Sequence, residues 1–179
     1  QTMVMPPGKY DTTGHMIEPP DASGFRKWVG RWPSARNYFV FSNLGEKFAD
    51  FPMGTPEFTR AVTEWINWWA KEIKKSNIKP QQLGLLIVDE PREPQHDRIV
   101  IEYAKVIRAA QPNIVIFEDP IWNGPWKGAR EMFKLSHILC PNLPMCIEHG
   151  AKYLDFYLKQ RDAGRRLWFY SCHGPGKLL

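Results

Sequence analysis

Cysteine is scarce in this chain, and the three present, Cys140, Cys146 and Cys172, have neither CxxC nor zinc-ligand spacing. An odd number cannot pair completely within one chain, so buried thiols are expected rather than a disulfide framework or a metal site. No apolar run approaches the ~20 residues of a membrane span, which argues against membrane insertion. The opening residues lack a basic-then-apolar leader, so a cytoplasmic chain and an exported parent whose leader has been removed both stay open. A phosphate-cradling GxxxxGKS/T loop is missing too. Its nearest approach, Gly174-Pro175-Gly176-Lys177-Leu178, has the wrong spacing and no hydroxyl. That gap excludes the ATPase reading invited by an apolar run ending in Asp89-Glu90. Charge is not concentrated either: the net charge is +5, but Lys and Arg alternate with acids along the helices. A solvated surface is expected, and no nucleic-acid partner.

What is present is a regular alternation of element types. The length suits one domain. Residues 1–24 are rich in proline and glycine without apolar period, and read as an extended arm or loop. From 25 to 179 the pattern is strand and helix in turn. A short helix at 25–31 leads to the strand Tyr38-Phe39-Val40-Phe41. Thr55-Pro56 opens a helix whose Phe58, Val62, Trp65, Ile66, Trp69 and Ile73 share one face. Strands follow at 85–88, 113–117, 137–140 and 167–170, separated by helices at about 94–110, 126–135 and 145–163. Five strands with intervening helices imply right-handed crossovers and a parallel sheet.

Polar residues gather after the strands: Asn43, Asp89, Glu90, Asp119, Asn142 and His173. A doubly wound sheet would show a glycine-rich loop after an early strand, and none is seen. The α/β class expected is therefore a (β/α)8 barrel of TIM type. Eight strands need about 250 residues, so residues 25–179 are expected to be the central part of a barrel catalytic domain, strands three to seven, within a longer parent chain carrying other domains.

Leu85-Leu86-Ile87-Val88-Asp89-Glu90-Pro91 places two carboxylates at the C-terminal end of a buried strand, where such folds keep their chemistry. Pro91 is expected to hold Glu90 extended. Because side chains alternate along a strand, Asp89 and Glu90 leave the backbone on opposite sides unless the chain bends between them, and can serve one site only at the rim, where the strand ends. The rival expectation is structural: the pair caps the next helix or binds Arg92.

Phe25-Arg26-Lys27-Trp28, Tyr38-Phe39-Val40-Phe41, Val88-Asp89-Glu90-Pro91 and Leu167-Trp168-Phe169-Tyr170-Ser171-Cys172 together resemble the catalytic barrel of bacterial β-N-acetylgalactosaminidases, glycoside hydrolase family 123, and the uncharacterised barrel domains related to it. The resemblance implies removal of terminal β-linked N-acetylhexosamine by substrate-assisted retention, in which the sugar's acetamido oxygen is the nucleophile. Glu90 would then be the acid/base and Asp89 would hold the acetamido N–H. An amino-sugar glycan is the implied substrate, and neither cofactor nor metal is required. Tyr170 matches an aromatic position on a late strand and would meet the acetamido group. Trp122 and Trp126 are candidates to stack on a sugar face. Asn43, Asp119, Asn142 and His173 are candidate sugar ligands by position at strand ends. Two alternatives stay open: a retaining glycosidase with Glu118 or Asp119 as a separate nucleophile, and a non-catalytic glycan-binding or structural barrel.

Overall fold

The computed structural model describes residues 4–171. In chain order the elements are β1 (Lys9–Tyr10), β2 (Met16–Glu18), α1 (Ser23–Gly30), β3 (Tyr38–Phe41), β4 (Lys47–Phe48), β5 (Phe51–Pro52) and α2 (Pro56–Lys75). Then come β6 (Leu83–Leu86), α3 (Pro94–Ala110), β7 (Val115–Glu118), α4 (Arg130–Leu135), β8 (Ile138–Leu139), α5 (Leu143–Glu148), α6 (Gly150–Asp162) and β9 (Arg166–Leu167). The centre is a five-stranded sheet, parallel throughout, in the order β3-β6-β7-β8-β9. Spatial order follows chain order with no reversal. The protein is thus mixed α/β, a parallel sheet flanked by helices.

Local chemistry explains the longest elements. Thr55 accepts the Phe58 N–H at 3.2 Å on its hydroxyl, and Pro56 occupies the first helical position of α2. Phe58, Val62, Trp65, Ile66, Trp69 and Ile73 then recur at helical spacing and are all buried. α3 also starts on a proline, Pro94, and buries Ile99, Val100, Tyr103 and Ile107.

The sheet has two unlike faces because its side chains alternate. Val40, Leu83, Leu85, Ile116 and Leu139 join the helices in the main core. Leu86, Val115, Phe117, Ile138 and Cys140 form a second, smaller cluster with Phe39 and Tyr170. Over that second face the Phe39 ring lies 5.1 Å from Trp168 and 5.3 Å from Phe117, centroid to centroid. Phe39 belongs to the first strand of the sheet, whereas Trp168 directly follows the last. Four strand spacings in a flat sheet span ~19 Å, too far for those rings to touch, so the sheet curls around its second face. Gly84 makes room for this contact: a Cβ there would overlap Phe39 Cδ1 and Cε1, far closer than carbon–carbon contact allows.

Several elements differ from the sequence expectation. Residues 4–24 are not a featureless arm, since β1 and β2 pair as an antiparallel ribbon. That segment is pinned to α2, where Trp65 and Trp69 donate their indole N–H groups to the Pro6 carbonyl at 3.1 and 3.4 Å. β6 ends at Leu86, two residues before the expected strand end, and 87–90 form a bend. The helix expected at 145–163 is two helices, broken where Gly150 takes φ +68°. The segment at Pro125–Lys127 is a 3-10 turn, so α4 begins only at Arg130.

Candidate functional site at the strand ends

The bend after β6 is held from beneath by β7. Glu118 is fully buried on the helix-facing side of that strand and accepts the Ile87 N–H at 3.0 Å. Burial drives its carboxyl well above the ordinary range, against the opposing backbone hydrogen bonds from Ile87 and Val88. Enclosed on that side, Glu118 acts as a latch for the bend and cannot reach a substrate.

Strand alternation turns the next residue, Asp119, to the opposite face. Asp119 accepts the Glu90 N–H at 2.9 Å. Glu90 has φ +51°, the left-handed region that non-glycine residues rarely occupy. The expectation that Pro91 would keep Glu90 extended is therefore corrected: the Asp119 carboxylate captures its N–H and turns the chain. Such a conformation costs on the order of 1–3 kcal/mol and persists only when its surroundings over-determine it.

The consequence is that the Glu90 carboxylate meets Tyr170, whose hydroxyl donates to Oε1 at 2.5 Å. Burial, and then the hydrogen bond to Glu90, push the Tyr170 hydroxyl up, so it stays protonated as a donor. Asn142 bridges to Tyr170 as a parallel pair, its side chain hydrogen-bonds the tyrosine, and it also caps α5 through the Met145 N–H at 3.4 Å. Burial raises Asp119 to about 7, with the Asp89 and Glu90 charges adding to it and the Glu90 N–H opposing. Burial and Asp119 lift the Cys140 thiol to about 12, which leaves it inert.

Glu90, Asp119, Asn142 and Tyr170 are thus brought together, and Asp89 stands beside them, exposed. Asp89 and Glu90 do not cap α3, whose N-cap is Glu93. Asn43 lies on the same rim, exposed at φ +45°, and its neighbour Leu44 donates to the Ile87 carbonyl at 2.9 Å. Trp122 has its indole N–H bound by Asp97 of α3 at 3.1 Å, and the Ile121 N–H before it donates to the Pro91 carbonyl at 3.1 Å. Trp126 sits under the Lys152 ammonium, 4.1 Å from its ring centroid. His173 and Cys172 lie outside the described residues. As candidates for a separate nucleophile Glu118 and Asp119 stood undivided in the sequence, although strand alternation carried the signal that parts them. Among the described residues no three His, Cys, Asp or Glu side chains converge as metal ligands, and no helix is long and apolar enough to cross a membrane.

No protein-family model matches the chain, and no curated protein matches it.

Proposed function

We propose that the chain is the central part of a (β/α) barrel glycoside hydrolase that removes terminal β-linked N-acetylhexosamine by substrate-assisted retention. The observation that carries the reading is the Glu90–Tyr170 contact at 2.5 Å on a backbone turned to φ +51°, at the C-terminal ends of parallel strands. Strain held in place by a dedicated carboxylate is characteristic of built sites. The curl of the sheet and the unreversed strand order support the barrel.

In this reading Glu90 protonates the glycosidic oxygen and later activates water, and Asp89 accepts the acetamido N–H of the bound sugar. Tyr170 exchanges its hydrogen bond from Glu90 to the acetamido carbonyl, orienting that oxygen for attack. Full burial of Glu118 disfavours it as a protein nucleophile.

Release of nitrophenol from β-N-acetylgalactosaminide, β-N-acetylglucosaminide and plain β-galactoside by the full-length protein tests this. Turnover of the acetamido sugars alone is expected, with Asp89→Asn and Glu90→Gln each losing about a hundredfold or more. Hydrolysis of the plain galactoside would contradict substrate assistance, and silence on all three would contradict the assignment.

A further inference from the structure

At the other end of the strands, away from Glu90, a cleft of about 260 Å³ is lined by Arg108, Lys134, Ser136, His137, Arg165 and Arg166, with Ala163 and Gly164 completing it. The C-terminal ends of α3, α4 and α6 meet there. Arg108 donates to the Leu135 carbonyl at 2.8 Å, and Arg165 to Phe133 and Ala163 at 3.0 and 2.9 Å. These bonds satisfy helix-end carbonyls and fix the two guanidinium groups, but each guanidinium has five N–H donors. Among the described residues none of the four cations forms an ion pair. Elsewhere Arg26, Lys75, Arg98 and Lys105 each face a carboxylate.

His137 sharpens the case. Its Nδ1 accepts the Ile116 backbone N–H at 2.9 Å, which places the proton of the neutral ring on Nε2. Nε2 in turn faces Arg108 Nη1 at 3.1 Å. Two N–H donors thus stand 3.1 Å apart, and among the described residues the Nε2–H finds no acceptor. Burial, and then Arg108 and Arg166, lower His137 to about 4, so the ring is neutral near pH 7 and serves as a donor.

We propose that this cleft is an oxyanion site for a phosphate or sulfate group, free or esterified on a small molecule. Such an oxyanion accepts from His137 Nε2–H and Arg108 together and offsets charges that otherwise repel one another. Lys134 and Arg166 are exposed and supply charge without holding the fold.

Thermal unfolding and calorimetric titration with inorganic phosphate, inorganic sulfate, glucose 6-phosphate and glucose 6-sulfate, each against sodium chloride at equal ionic strength, provide the test. A saturable rise in Tm is expected with at least one of them. Affinity should fall at least tenfold in Lys134→Gln/Arg166→Gln and stay unchanged in Lys27→Gln/Lys71→Gln. Preference between the two esters identifies the source of the anion. Without anion and at low salt the Lys134→Gln/Arg166→Gln protein should melt no lower than wild type, since repulsion is relieved. A rise no larger than that with chloride, or equal affinity in both double variants, would overturn the site. Lower melting of the Lys134→Gln/Arg166→Gln protein without anion would show instead that the cluster only supports the fold.

Discussion

Asp119 does two things with one carboxyl group. It turns Glu90 toward Tyr170, and its own proton is retained to about pH 7 because it is buried beside two other acids. A carboxyl whose folded pKa is raised binds more protons in the native state than in the unfolded chain. Stability then falls as pH rises from the ordinary carboxylate value, near 4, through about 7, and is level above. Over that window the loss is at most about 4 kcal/mol. Asp119→Asn keeps an acceptor for the Glu90 N–H but removes the titration. Denaturant melts at several pH values should show a shallower decline between pH 4 and 7 than wild type, with the variant the more stable at pH 8. Parallel curves for the two proteins would rule the effect out. Glu118 titrates in the same sense, which is why the wild-type-minus-variant difference is the quantity to read.

At the scale of elements, the strand contacts most worth perturbing are those that curl the sheet. Gly84 lies opposite Phe39 in the β3–β6 register, and its missing Cβ is where the Phe39 ring lies. Gly84→Ala should destabilise the protein by about 1–3 kcal/mol, the usual range for overpacking. In Phe39→Leu the same glycine substitution should cost much less, giving a measurable coupling in a double-mutant cycle. Additive effects would mean that the ring does not depend on that gap. Much at this scale was legible beforehand. The apolar face of α2 and its Thr55-Pro56 start were visible as spacing and capping chemistry, and so were the alternating strands. The bend at 87–90 was not, because the force that makes it is the Glu118 and Asp119 pair, some thirty residues further along the chain.

For the whole molecule, the sheet has two edge strands, β3 and β9, whose outer sides pair with no strand among the described residues. Phe41 on one edge is 54% exposed, and Trp168 and Phe169 beside the other are 37% and 43% exposed. Open edges bearing aromatics template pairing with another chain. Sedimentation of residues 1–179 alone should reveal reversible association at about 10–100 μM, a range in which exposed apolar surface commonly associates. Phe41→Lys should shift that equilibrium toward monomer. A single monomeric species at every concentration would contradict this.

From local chemistry alone, the sequence determined the alternation of sheet strands with helices, the parallel connectivity and the placing of polar residues after the strands, because periodicity, capping and proline act within a few residues. Only the tertiary structure decided which strand-end groups meet. Tyr170 finds Glu90 across eighty residues, the Trp122 indole is fixed by Asp97, and Glu118 is buried while Asp119 is not withdrawn from the site. Each outcome depends on the curl of the sheet and on burial, properties of assembled neighbours that no single segment carries.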